Sequence, residues 1–272
     1  MKKKTSPLQR FYVVLIFVFL YMPILVLFLY SFNAGPSTSV FEGFSLQWYK
    51  ALLHDSESIK ALYNTLILAV CSSLIATVMG TAAAVGINSL KNKYIRSSVM
   101  TVTNIPMMNP EIVTGVSMML LFVFVGRLLG LVNVLGFWTM LIAHVTFNLP
   151  YVILSIMPKF SQIDKFMPEA AMDLGCSRIK AFFKVVLPSI FPGIFSGMIM
   201  AFTLSLDDFV ISYFTTGPAF QTLPIRIFSM TKKRVKPDMY ALSTIIFVAV
   251  LLLLILVNVA QSKSDKKTEN KA

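Results

Sequence analysis

Three carboxylates stand where a carboxylate is costly. Glu111 lies inside a long uncharged stretch, and Asp207 and Asp208 close another. An ionisable side chain at the centre of a membrane helix costs about 2.5–3.5 kcal/mol on insertion scales, which makes each a functional candidate. Glu111 follows Asn109 and Pro110, with Pro106 one helical turn earlier. Two prolines so close predict a helix broken there, with Glu111 near the middle of its span but in the first turn of a half-helix, where the dipole favours a negative charge. The next basic residue, Arg127, comes 16 positions later, about 24 Å along a helix and too far to pair with it. Asp207 and Asp208 point about 100° apart on a helix, so one of them would face a pathway, and Asp208 is the better candidate. Carboxylates along a pathway favour cations, and aromatic rings beside them stack on ammonium groups for about 0.5–2 kcal/mol each. Trp48, Tyr49 and Tyr151 are the candidate rings. The alternatives are structural. The aspartates could cap the outer end of a span in water, Glu111 could be protonated or satisfied by a partner, and an interfacial aromatic belt accounts equally well for Trp48 and Trp138.

Other chemistry is poorly supplied. His54 and His144 are isolated, Cys71 sits in an apolar segment and Cys176 in a polar connection, so neither a metal site nor a structural disulfide is expected. No nucleophile–base pair stands out, and no cofactor is expected. The chain also lacks the G-x-x-x-x-G-K-[ST] phosphate loop, so any ATP hydrolysis must come from a separate subunit.

The elements that position these residues follow from composition. Of 272 residues, 56% are hydrophobic and 13% charged, about half the charged share of a soluble domain. A soluble core of this length would leave large apolar patches exposed; lipid as solvent removes the difficulty. Six apolar segments, at about 11–32, 62–88, 99–125, 135–157, 189–213 and 240–260, are each long enough to span a bilayer as a helix. The net charge of +12 is scattered in short runs between them, which argues against nucleic acid. With the N-terminus inside, 16 of the 24 Lys and Arg fall on the cytoplasmic side, so both termini are placed there. The first segment is read as a retained helix, since its apolar run exceeds a signal peptide's. The organisation is then a tail, first helix and external loop over 1–61, a five-helix core over 62–260, and a charged tail over 261–272.

The fourth connection, about 161–187, carries helical punctuation. Pro168 suits a first helical turn with Glu169 at its positive end, Gly175 suits a left-handed C-cap, and Ser177 can cap a second helix. In that helix Ile179, Phe182, Phe183 and Val186 share one face at α-helical spacing. Two short amphipathic helices could form a docking platform or an elbow in the lipid interface.

Glu169-Ala170-Ala171, three residues, Gly175, nine residues, Val185, one residue and Leu187-Pro188 resemble the EAA signature of bacterial ABC-importer permeases, whose usual form has Ile in place of Val185. The stretches Ala201 to Phe209, Thr222 to Ile225, Tyr240 to Thr244 and Asn109 to Val113 resemble the spermidine/putrescine permease branch, and the similarity runs from about residue 10 to 260, closest to the second permease subunit. The resemblance implies an all-α, six-span, MetI-like type I importer fold with no enzymatic activity of its own. It implies a heterodimer with a second permease subunit, two copies of an ATPase, an external polyamine-binding protein and a bacterial inner-membrane location. It assigns ATPase coupling to Glu169, Ala170, Ala171 and Gly175. Lys232, Lys233, Arg234 and Lys236 depart from what a polycation's entrance needs, unless they face a receptor's acidic surface. The nearest alternative keeps this machinery and changes the solute to another small molecule, such as an amino-acid derivative or iron chelate. A different class, an ion-coupled transporter with Glu111 as proton site, would depend on the proton gradient instead of ATP.

Overall fold

The computed structural model describes residues 7–35, 37, 40–164, 166–232, 239–249, 251, 252 and 255, and these are almost wholly helical, with one isolated antiparallel bridge between Asn33 and Phe44. Five helical stretches are long and apolar enough to cross a membrane: Leu8–Tyr30, Ser56–Ser89, Glu111–Leu128, Phe137–Phe160 and Arg178–Asp207. A shorter apolar helix, Met239–Ala249, stands at the start of the sixth expected span. The rest of that span beyond Ile255, the tail over 261–272, Lys2 to Lys4, and Lys233, Arg234 and Lys236 lie outside the described residues.

The chain divides into two compact units, one drawn from Met1–Ile59 and Arg226–Leu253, the other from Lys60–Ile225 and Leu254–Ala272. In the first, helix α1 (Pro7–Tyr30) runs into a loop knotted around Asn33. The buried Asn33 amide donates to the carbonyls of Ser37 and Val40 and accepts the N–H of Gly35 and Glu42. Helix α2 (Gln47–His54) closes the loop through Tyr49, whose hydroxyl meets Ser31 Oγ at 2.7 Å. Helix α3 (Ser56–Ser89) then carries the chain into the second unit.

The third apolar segment is two helices, α4 (Lys93–Met108) and α5 (Glu111–Leu128). Pro106 is accommodated inside α4, and the break falls at Asn109, which is extended at φ −77° and ψ 141°. Pro110 enforces it, because its ring disfavours the α conformation in the preceding residue. The spanning helix therefore begins at Glu111, which stands at its start and not near its middle.

Helix α6 (Phe137–Phe160) is the most enclosed element, with Met140, Val152 and Ile156 fully buried. Its neighbour α9 (Leu187–Asp207) turns a buried stripe of small residues, Gly193, Gly197, Ala201 and Ser205, at four-residue spacing. That stripe lets the backbones approach closely: a Cβ on Gly193 would sit 2.9 Å from the Ser155 carbonyl, and one on Gly197 3.1 Å from Val152 Cα.

Between α6 and α9 lie α7 (Met167–Asp173) and α8 (Arg178–Ala181). Helix α7 ends in a Schellman closure, with Cys176 N–H on Ala171 O and Gly175 N–H on Met172 O, and Gly175 takes the left-handed φ of 86° that this closure requires. Ser177 Oγ caps α8 by accepting the Lys180 N–H. A π-helical turn, Phe182–Val186, joins α8 to α9. The wider turn rotates its residues out of α-register, so the expected face of Ile179, Phe182, Phe183 and Val186 is split: Ile179 and Phe183 are exposed, Phe182 and Val186 half-buried. Beyond α9, short helices α10 (Val210–Thr215) and α11 (Leu223–Thr231) follow.

Candidate functional site

The three carboxylates occupy two environments. Glu111 and Asp207 are exposed, whereas Asp208 is buried. Asp208 breaks the helix between α9 and α10, extended at φ −61° and ψ 122°. Its Oδ1 accepts the Ile211 N–H at 3.3 Å and its Oδ2 the Ser212 N–H at 2.7 Å. Expecting Asp208 to be the outward member of the pair fits this geometry poorly, because its oxygens are committed to the α10 backbone.

Glu111 and Asp207 come off elements that meet. A Cβ on Gly115, one turn after Glu111, would stand 3.1 Å from the Phe214 ring and 3.5 Å from Ile211 Cα, so α5 and α10 are in close contact. Ile211 forms a small apolar cluster with Ala143 and Phe147, against which Met118, Tyr151 and Leu204 pack. Tyr151 stacks obliquely on Phe147, with centroids 5.4 Å apart. Asp207 follows Leu204 by one turn. Tyr151 thus packs on the cluster, and Glu111 and Asp207 each stand one turn from a residue that touches it, Gly115 against Ile211 and Leu204.

Behind them runs a buried polar seam that reading along the chain misses. Asn148 Nδ2 donates to Ser205 Oγ at 2.8 Å, and Ser205 shares a hydrogen bond of 2.9 Å with Ser72 of α3. Among the described residues Asn148 Oδ1 has no hydrogen-bond partner. His144 Nε2 lies 3.0 Å from Ser212 Oγ and 3.5 Å from Asp208 Oδ2. Thr139 Oγ1 donates to the Thr215 carbonyl at 2.9 Å. His144, Asn148 and Tyr151 stand at i, i+4 and i+7 on α6, a polar stripe on a largely apolar helix. That spacing was the available signal.

Trp48 belongs to the other unit, where its indole N–H donates to the Asn33 carbonyl at 2.7 Å and helps hold the loop. At the fourth connection Glu169, Ala170 and Gly175 are exposed and Ala171 is half-buried, and Leu174, 87% exposed, stands at the bend. Among the described residues no group of three or more His, Cys, Asp or Glu side chains could hold a metal ion.

Residues 76–270 match the family described as binding-protein-dependent transport system inner membrane component. The chain is similar to the putrescine transport system permease protein PotI of Escherichia coli, 39% identical over 245 residues that cover 90% of this chain and 87% of the relative. It is likewise similar to the spermidine/putrescine transport system permease protein PotC of Haemophilus influenzae, 36% identical over 258 residues, 95% of this chain and 98% of that one. Among solved structures it resembles a chain of a bacterial ABC transporter involved in the import of the acidic polysaccharide alginate, with a TM-score of 0.75, 17% identity and 92% of each chain covered. At that identity the likeness shows the fold alone, so the charge of this chain's solute must be read from its own side chains.

Proposed function

Since this chain belongs to the binding-protein-dependent transport system inner membrane component family, we propose that it lines a path for small polycations, putrescine or spermidine, and couples that path to a separate ATPase. The reading is supported by two exposed carboxylates, Glu111 and Asp207, each one helical turn from residues of the cluster on which Tyr151 packs. Two anionic groups beside an aromatic ring suit an alkyl chain with ammonium ends. The names of the relatives support the same solutes. Asp208 serves as a cap, and Trp48 holds its loop.

In this reading both termini face the cytoplasm, as the Lys and Arg bias favours. The connection around 161–187 then presents Glu169, Ala170, Ala171 and Gly175 to the ATPase. A second permease subunit completes the path, two ATPase copies drive it, and an external binding protein delivers the solute. Closure of the ATPase pair moves α7 as a rigid body, and the motion passes through α8 and the π-turn into α9, which ends at Asp207.

Uptake of radiolabelled putrescine and spermidine tests the reading, in cells lacking the chain and complemented with variants. Wild type restores uptake. Glu111→Gln and Asp207→Asn each lower it about tenfold, as expected for one lost charged hydrogen bond, and Glu169→Lys abolishes it while insertion is normal. If deletion of the chain leaves polyamine uptake untouched, the solute assignment is wrong and the family membership alone stands. Uptake that survives ATP depletion but collapses with the proton gradient overturns the ATP-driven scheme.

A further inference from the structure

We propose that His144 is a positioning residue for the solute path: it pins the joint between α9 and α10, and the joint keeps Asp207 at an open helix end next to the cluster that Ile211 of α10 completes. The inference rests on reading Asp207 as a residue of that path.

The joint needs an external hold because its own sequence offers a cap, Asp208, but no residue that forces a break. From Ala201 to Thr216 there is neither Pro nor Gly, and Leu, Phe, Val and Ile would sustain an uninterrupted helix in an apolar setting. The helix nevertheless stops at Asp207, turns at Asp208 and restarts at Val210. Backbone N–H groups freed at such a turn must find acceptors, since water is scarce in the membrane. Asp208 supplies them for Ile211 and Ser212.

A buried carboxylate doing this work needs a further donor, and His144 is the group that reaches it. The imidazole is 1% exposed, with Nε2 3.0 Å from Ser212 Oγ and 3.5 Å from Asp208 Oδ2, the same oxygen that accepts the Ser212 N–H. An Nε2–H tautomer donates into this pair from α6. Thr139, on the same helix, grips the end of α10 through the Thr215 carbonyl. Helix α6 therefore holds α10 at two levels. If the His144 contact is removed, the cap weakens and the run from Leu204 to Tyr213 is free to continue as one helix. Asp207 would then pass from the open end of a helix to its interior, and α10 would carry Ile211 out of the cluster that Tyr151 packs against.

The test uses the complete transporter, with second permease, ATPase and binding protein, reconstituted in proteoliposomes. The readout is putrescine moved per ATP hydrolysed. His144→Phe keeps the size and removes the donor; it lowers this ratio about tenfold, the equivalent of one hydrogen bond lost at a buried charged group, while ATP hydrolysis stimulated by the binding protein is retained. His144→Gln, which can still donate, restores most of the ratio. His144→Phe added to Asp207→Asn causes no further loss, because both act at one carboxylate. Should His144→Phe fail to assemble, Ser212→Ala removes the 3.0 Å partner with little change in volume, lowers the ratio and shows the same non-additivity. Solute and ATP turnover falling in parallel, no rescue by Gln, or independent effects in the double variant would overturn the role of His144 and leave that of Asp207 intact. An unchanged ratio in Asp207→Asn would overturn the path assignment itself, and the inference with it.

Discussion

Two bends in this protein are built in opposite ways. The bend at 173–178 is written in the residues that make it: Pro168 opens α7, Gly175 takes φ 86° to close it, and Ser177 caps α8. The bend at 207–210 contains neither Pro nor Gly; its one local device is the Asp208 cap, and that cap is held from a distance, by a histidine 68 residues before the serine it meets. A locally encoded bend keeps its shape while its surroundings move, which suits a segment pressed against another subunit. A bend held by tertiary contacts depends on the packing that supplies them, which suits a place where a helix must change course only in the assembled bundle.

The contrast can be broken most severely at the contact that brings α6 to α9. Gly193→Leu would drive a side chain into the Ser155 carbonyl and Ile156 Cα, 2.9 and 3.2 Å from its Cβ. Backbone cannot yield as a flexible side chain does, so a loss of about 3 kcal/mol or more is expected. The seam from Thr139 to Asn148 should come apart with it. Thermal unfolding of the purified complex, or its yield, measures the effect; an unchanged melting temperature would mean that the close approach of α6 and α9 does not hold the joint. Gly175→Val tests the other bend. A β-branched residue in the left-handed region costs about 1–2 kcal/mol, confined to a segment that buries little. Bundle stability should change by much less than in Gly193→Leu, while ATP-coupled uptake falls. Equal losses of stability in both variants would erase the distinction between the two bends.

What was legible in the sequence follows the same division. Apolar length predicts the helices, and Pro110 predicts the break before Glu111, because both are local facts. The Schellman turn at Gly175 is equally visible. The π-turn at Phe182–Val186 is not, since its residues read as an ordinary amphipathic helix and only the entry into α9 decides the wider pitch. His144 looks isolated because its partners, Ser212 and Asp208, are distant in sequence. Asp208 looks like the better pathway carboxylate because helical geometry separates it from Asp207 by angle alone. Which of the two is spent on backbone N–H groups depends on where the helix ends. The stripe of His144, Asn148 and Tyr151 was readable, and it marks the face of α6 on which the seam is built.

The smallest effect expected belongs to a third kind of anchor, the ion pairs at the start of α3. Arg226 pairs with Glu57 and, at 3.4 Å, with Asp55. Partial burial pushes the Asp55 carboxyl up, but the Ser58 hydroxyl at 2.5 Å, the Arg226 guanidinium and the N–H groups of Glu57 and Ser58 outweigh it and hold the group below its ordinary 3.8. A carboxyl depressed in the folded state contributes stability that is fully present above its unfolded value and is lost as pH falls through the lower, folded one. Asp55→Asn should therefore cost no more than about 1 kcal/mol near neutral pH, as partly exposed pairs do. The gap in melting temperature between wild type and variant should shrink once the pH drops below about 4. A gap that stays constant into acid would assign the anchor to the Ser58 hydrogen bond instead of the charge, and Asp55 would then resemble Asp208, a cap that works through its hydrogen bonds.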